Sequence, residues 1–506
     1  MWRQDGNHII MGSHLNILLD TNIIISLNDL EYPLDPRLAE MQRLLDQLSF
    51  HVFVHPAQKD DLNRDTNADR RRRNLSRLNQ YNVLNSPPEP SPEDISALGW
   101  VQNRDNDRVD NLLLYALKSG AVHILVSEDR GVLRKAHRAG LQDQMHHLDQ
   151  FIFFLRNQVE PAFEIPYGIG QKYIYQWHIE SSFWDSLRES YPDFDNWFRE
   201  AARQHRQAWC ICNEKDEPLA VCIFKEENNP VVTTEPHQTL YGKVLKLCTF
   251  KVAEELRGRK LGERLLYTAF KYASENSYDH AYIQVHAQDK LIELCSDFGF
   301  YRIGEYNEDE VYVKDMKNPD IGLGRAHNPF EYAKLYYPNF LEGNDVNKFI
   351  IPIQPQYHNE LFPDISDDAD GLFANQFLSQ QPQSNTIKKA YLCQANTKQI
   401  SSGDILLFYR SKDRKSIQVI GIVEYVKRFS IDDIAMVQAL VSKRTVFSEE
   451  QLAEQLRKPT LLILFRFIKY IPEISWKRLK RAGISGSIQS IRKTSNESYC
   501  RITGTP

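Results

Sequence analysis

A chain of 506 residues exceeds what one hydrophobic core ordinarily organises, so about two to four domains are expected. A hydrophobic content of 42% and a charged content of 25% match folded globular proteins and exclude a mostly disordered chain. The formal charge of -5 excludes a wholesale polycation, so any nucleic-acid surface must be local.

The seven cysteines form no CxxC pair, which points to a reducing cytoplasm rather than a disulfide framework. No apolar run approaches the roughly 18 residues of a spanning helix, and Met1 to His14 lacks an apolar signal-peptide core. A cytoplasmic protein with no membrane partner is therefore expected.

The first segment, residues 15–159, opens with the apolar run Leu15-Asn-Ile-Leu-Leu and then Asp20-Thr-Asn. Further short strands are predicted at His51-Val-Phe-Val and Val122-His-Ile-Leu-Val. Helical patterns lie between them at Pro36–Leu48, Pro56–Leu78 and Arg108–Lys118. Short β-branched strands alternating with helices imply a parallel sheet covered on both faces.

The second segment, residues 164–318, begins with aromatic-rich helices (Ser182–Tyr191, Phe194–His205). Strands follow at Ala208-Trp-Cys-Ile-Cys and Leu219–Lys225, joined as a hairpin through Asn213-Glu-Lys-Asp-Glu-Pro218, and another at Val244–Val252. Then come Ala281–His286, a short helix at Lys290–Asp297, and strands Tyr301–Tyr306 and Glu310–Lys314, which together imply a mixed α/β sheet. Residues 319–385 read as a partly mobile linker, because Asp364-Ile-Ser-Asp-Asp-Ala-Asp370 and the Gln-rich stretch after it are polar. Residues 386–506 return to strands, at Gly403–Arg410, Ser416–Val426 and Thr460–Tyr470, and are expected to close into a small β-barrel.

Arg257-Gly-Arg-Lys-Leu-Gly262 sits between a predicted strand and a predicted helix. Helix starts carry unpaired N–H groups and partial positive charge, and glycine lets phosphate oxygens reach the backbone. Together with Asp297-Phe-Gly299-Phe300 downstream, this segment resembles the GNAT family of N-acetyltransferases. The resemblance implies acetyl-CoA held by Arg257, Gly258, Arg259, Lys260, Leu261, Gly262, Glu263 and Gln288, with Phe250, Lys251 and Val252 beside the thioester carbonyl. It also puts Cys295 where the family often has the Tyr that protonates the departing thiolate, and Lys260 where a glycine is common. His286 and Glu235 are candidate bases, each as readily a structural residue.

In the first segment, Asp20, Asp61, Asp110 and Asp129 stand at or near the ends of strands, where carboxylates of a parallel sheet converge. Gathered carboxylates repel unless a cation neutralises them, and Mg²⁺ or Mn²⁺ suits an all-oxygen set. The order Asp20-Thr-Asn, Asp61-Leu, Asp110-Asn-Leu-Leu-Leu, Ser127-Glu-Asp129 resembles the PIN domain of metal-dependent ribonucleases, which implies a metal held by these four residues. The rival reading of each is a helix cap or a solvated face. Arg70-Arg-Arg-Arg73 suits RNA phosphates, a solvated helix or an acidic partner. The last segment is similar to PUA-like (ASCH or EVE) domains, with Tyr409, Arg410, Trp476, Lys477, Arg478, Lys480 and Arg481 as candidate contacts to bases and phosphates.

Together these resemblances imply an RNA-directed, toxin-like effector that cleaves RNA and acetylates a primary amine, with RNA (tRNA included), acetyl-CoA and a cognate antitoxin as partners. The alternatives are a CoA- and RNA-sensing regulator without turnover, and a protein acetyltransferase whose PIN-like domain only docks substrate.

Overall fold

The computed structural model describes residues 15–28, 35–48, 50–78, 81–100, 105–159, 169–213, 215–234, 236–257, 260–286, 291–317, 328–362, 386–441, 444 and 449–504. The chain divides into two compact units, residues 1–162 with 429–460, and residues 163–428 with 461–506.

The first unit is built on β1 (Asn16–Leu19), α1 (Thr21–Asn28), α2 (Pro36–Leu48), β2 (His51–Val54), α3 (Gln58–Asn63), α4 (Ala68–Leu78), β3 (Asn82–Val83), α5 (Pro92–Ala97), α6 (Asp105–Lys118), β4 (Ile124–Val126), α7 (Arg130–Arg138), β5 (Met145–His146) and α8 (Leu148–Val159). All strand pairs are parallel, in the order β3-β2-β1-β4-β5. Alternation along the strands sends Ile17, Leu19, Ile124 and Val126 into one core with residues of α2 and α8, and Leu18 and Leu125 into another with α6 and α7. The parallel sheet expected from the sequence is therefore present.

One part of this unit comes from far along the chain. Helices Ile434–Val441 and Glu449–Leu456 lie in residues 429–460, expected to belong with the C-terminal strands. Ala439 joins the core of α2 and α8, and Gln438 donates to Gln158 at 2.9 Å. Arg444 grips Asp143 through two hydrogen bonds of 3.0 and 2.7 Å, with both side chains buried.

In the second unit, β6 (Gly170–Tyr173), α9 (Asp185–Ser190), α10 (Phe194–Arg203), β7 (Gln207–Cys212), β8 (Pro218–Asn228), β9 (Val231–Thr234), β10 (His237–Thr239), β11 (Lys243–Val252), α11 (Leu261–Glu275), β12 (His280–His286), α12 (Leu291–Asp297), β13 (Tyr301–Tyr306) and β14 (Asp309–Asp315) come first. Seven strands form a mixed sheet ordered β13-β14-β12-β11-β8-β7-β6, and β9 and β10 form a separate hairpin.

Residues expected to be linker also carry structure. They supply α13 (Pro329–Leu335), β15 (Lys348–Ile353) and α14 (Pro355–Leu361), while the acidic and Gln-rich stretch lies outside the described residues. β15 lines up parallel to β17 (Ile405–Arg410) in a six-stranded sheet ordered β16-β19-β18-β17-β15-β20. The remaining members are β16 (Lys388–Cys393), β18 (Ser416–Phe429), β19 (Thr460–Ser475) and β20 (Arg492–Thr494). Closure into the expected barrel is not shown: among the described residues no pairing joins the edge strands β16 and β20. One apolar core runs from Leu245, Leu265 and Phe298 to Ile350, Ile405 and Ile417, so both sheets of this unit share a single interior. No helix among the described residues is long and apolar enough to cross a membrane.

Candidate active site

Strand β11 is central in its sheet and covered on both faces. Leu245 and Leu247 point to the core under α11, whereas Val244 joins Tyr282, Val311 and Val313 on the opposite face. The register against β8 shifts between Leu247 and Thr249, so the residue at the bulge is Cys248. Beyond it Phe250 and Val252 turn toward α11, and Thr249 and Lys251 pair with Ile223 and Val221.

The parallel ladder between β11 and β12 covers only Val244–Leu247 against His280–Ile283. β11 continues to Val252 and β12 to His286, yet these extensions do not pair with one another. The two strands part like a V, and the parted edge of β11 offers backbone amides free of that ladder.

A short turn, Glu254–Leu256, leads from β11 to α11. Arg257 pairs with Glu254 at 3.0 Å. Lys260 is the N-cap of α11, with φ of 59°, and its side chain makes no capping hydrogen bond to the first turn. The helix start therefore keeps amides that an anion can take. The left-handed backbone at Lys260 explains why a glycine suits this position: a side chain there costs about 1–2 kcal/mol. At Gly262 a Cβ would lie 2.9 Å from Leu294 Cδ2 and 3.4 Å from Phe250 Cε1, so the helix start packs closely against α12 and β11.

The other expected residues divide three ways. Phe250, Lys251, Val252, Arg257, Lys260, Leu261 and Gly262 line the path from the parted strands to the helix start. Leu261 is buried in the core, so only its amide can serve a ligand. Lys251 donates to Ser186 Oγ and lies 5.4 Å from the Phe183 ring centroid; burial and nearby Arg257 hold its ammonium below the ordinary lysine range. Gly258, Arg259, Gln288 and the candidate base Glu235 lie outside the described residues. His286 is exposed at the end of β12.

Two side chains are engaged away from the helix start. Glu263 is 6% exposed and its carboxylate accepts the Lys388 backbone N–H at 2.7 Å, so its side chain ties α11 to β16 and only its amide can serve a ligand. Cys295 is fully buried in the core with Leu265, Phe270 and Phe298, where no leaving thiolate can reach it.

Several polar residues escaped the sequence reading. Lys246, Gln284, Tyr282 and Glu227 meet on the β11 face opposite α11, together with Arg206 from the turn before β7. The signal was present: a central strand covered on both faces should be nearly all apolar, and Lys246, Thr249 and Lys251 break that rule on one face.

In the first unit, the four aspartates do gather at the strand ends, but each is already engaged. Asp20 is 5% exposed and accepts from Thr21 N–H (2.6 Å), Asn22 Nδ2 (2.7 Å) and Ser127 Oγ (2.5 Å). Burial pushes its pKa up to about 7, with Asp110 and Asp129 adding to the rise. Asp61 accepts from Thr21 Oγ1 at 3.2 Å and pairs with Arg64. Asp110 and Asp107 share Lys135, at 3.1 and 3.0 Å. Asp129 caps α7 through the amides of Gly131 and Val132. Among the described residues no three His, Cys, Asp or Glu side chains are grouped to hold a metal ion. As arranged, the quartet does not fit Mg²⁺ or Mn²⁺: Asp61 and Asp110 are turned to Arg64 and Lys135, Asp129 to the start of α7, and Asp20 to Thr21, Asn22 and Ser127.

The basic and aromatic candidates are also largely engaged. Arg70 pairs with Asp65 at 2.5 Å, and Arg71 donates to the Asp65 carbonyl at 2.7 Å. Tyr409 is buried, and Arg410, 3% exposed, pairs with Asp413 and donates to Asn359. Lys477, Arg478, Lys480 and Arg481 are exposed on a short helix, with Lys480 placed 5.9 Å from the Trp476 ring.

Comparison with curated proteins finds no match to this chain. Among solved structures it is similar to an ASCH protein of Zymomonas mobilis, at 12% identity over 31% of this chain and 94% of that one, with a TM-score of 0.24. An acetyltransferase of the GNAT family from Staphylococcus aureus aligns at 15% identity over 30% of this chain and 100% of that one, TM-score 0.22. The PaiA N-acetyltransferase of Thermoplasma acidophilum, solved with coenzyme A, aligns at 14% identity over 29% and 99%, TM-score 0.20. Residues 172–300 match the Acetyltransferase (GNAT) family, and so the segment holding the parted strands and the α11 start is a GNAT acetyltransferase domain within a longer chain.

Proposed function

We propose that this chain transfers the acetyl group of acetyl-CoA to a primary amine. The observation that carries the reading is the parting of β11 from β12 immediately before a helix start that its N-cap side chain leaves open. The family match over residues 172–300 supports it independently. Acetyl-CoA, once bound, supplies an activated acyl group on a good leaving thiolate.

The chain's own contribution is positioning and electrostatics. First-turn amides of α11 hold the pyrophosphate, and the partial positive charge of the helix start strengthens that grip. Amides of Cys248–Val252 on the parted edge orient the acyl carbonyl and stabilise negative charge developing on its oxygen. Bringing amine and carbonyl together in the V supplies the rest of the rate gain. Metal-dependent RNA cleavage is not proposed, because the acidic side chains of the first unit are not grouped to hold a metal ion among the described residues.

Titration of the full-length protein with acetyl-CoA by calorimetry tests the reading. Lys260→Asp places a carboxylate at the N-cap of α11, where it removes a cation and repels phosphate. Binding should weaken by about tenfold or more while circular dichroism stays unchanged. Unaltered affinity in that variant, or no binding by the natural protein, would sink the proposal.

A further inference from the structure

On the β11 face opposite α11, positive charge collects where the strands part. Lys246 is half-buried; its Nζ donates to Gln284 Oε1 at 2.7 Å and lies 5.4 Å from the Tyr282 ring centroid. Gln284 is the first β12 residue past the last paired one, Ile283, so this hydrogen bond spans the apex of the V. Arg206 approaches the same point, with one guanidinium nitrogen 3.4 Å from Cys248 Sγ at the bulge and another donating to Gln204 Oε1 at 2.8 Å.

Both cations are thus satisfied by neutral groups. Neither Lys246 nor Arg206 is within ion-pair distance of a carboxylate among the described residues. The nearby carboxylate, Glu227, is taken: Lys225 pairs with it at 2.8 Å and Tyr282 Oη donates to it at 2.7 Å. Two half-buried cations that share only the more distant and already paired Glu227 raise each other's energy, and an anion placed between them relieves it. An approaching substrate with only an ammonium group meets repulsion here instead.

Resting on the acetyltransferase reading, we propose that the acceptor carries a carboxylate or a phosphate close to its amine, and that Lys246 and Arg206 hold that anion. The two residues determine specificity and do not touch the acyl carbonyl. The same positive field favours the neutral, nucleophilic form of the amine. In the transfer, the amine nitrogen forms the new N–C bond as the C–S bond breaks. The bonding pair leaves on the CoA sulfur, and the proton lost by nitrogen goes to that thiolate or to solvent.

The test uses the full-length protein with saturating acetyl-CoA and four small amines. Phosphoethanolamine and β-alanine carry the anion; ethanolamine and β-alanine methyl ester lack it. The anionic pair should be preferred about tenfold or more in kcat/KM. Lys246→Gln and Arg206→Gln should each erase most of that preference by raising acceptor KM, and Lys246→Arg should restore it. Acetyl-CoA affinity should be unchanged in all variants, which also shows that they fold. Equal use of both pairs, use of neither pair by a protein that binds acetyl-CoA, or equal losses for all four amines overturns the acceptor assignment alone. Absence of acetyl-CoA binding by the natural protein instead defeats the acetyltransferase reading beneath it.

Discussion

Gly299 shows how one residue of a recognised motif can serve the fold. Its φ is +86°, and a Cβ there would sit 2.5 Å from the Leu335 carbonyl oxygen and 2.8 Å from that of Lys334. Those atoms belong to the backbone of α13 and cannot swing aside, so Gly299→Ala should lower unfolding free energy by about 2–3 kcal/mol, read by urea titration. Asp20 yields a prediction of another kind. Its folded pKa of about 7 stands above the ordinary 3.8, so folding takes up a proton between these values. Its contribution to stability is present below pH 4 and is lost as pH rises through 7, by an amount on the order of 2–4 kcal/mol. Asp20→Asn should flatten that part of the stability-pH profile of the first unit; an unchanged slope would show that the carboxylate titrates normally.

Elements that follow from local pattern were legible in the sequence. The short apolar runs Leu15–Leu19 and Val122–Val126, and the strand-turn-helix order around Arg257–Gly262, correspond to β1, β4 and the β11–α11 passage. What local pattern cannot show is which distant residue completes an element. Glu263 reads as an ordinary first-turn acid until the Lys388 N–H, 125 positions later, is found on it. Cys295 sits at a suggestive place in a motif, but the helical turn of α12 directs it inward. Helix Ile434–Val441 finds its burial on the α2–α8 core, which is remote in sequence and which no local pattern reveals. The Asp143–Arg444 pair makes that docking testable. Arg444→Met leaves a buried carboxylate without its cation and should cost about 3–5 kcal/mol, whereas Asp143→Leu combined with Arg444→Met should recover most of the loss. Equal damage by the single and double variants would deny the pair its place.

At the scale of the molecule, the acetyltransferase domain is not free-standing. Its core continues into the second sheet through Ile350, Ile405 and Ile417. Charged groups are buried along the same junction: Lys388 pairs with Asp297 at 2.6 Å, and Arg466 donates to the Asp297 carbonyl at 3.0 Å. Burial pushes the Lys334 ammonium down to about 8 in this setting. A chain ending at residue 318 exposes the Leu265 side of that core and strands Glu263 and Asp297, so it should aggregate or lose acetyl-CoA binding. Calorimetry and light scattering on the truncated protein check this, and a monomer with full affinity would contradict it.

The insertion of residues 429–460 bears on how the molecule is made. The chain crosses between its units at 162–163, 428–429 and 460–461, so neither unit can be released by a single cut. During synthesis, the part of the first unit before residue 163 waits for Ala439 and Arg444 before its interior is complete. At about 5–20 residues per second, that interval is tens of seconds, during which Asp143 has no cation and the α2–α8 surface stays open. The first unit is therefore completed only after residues 163–428 of the second have been made.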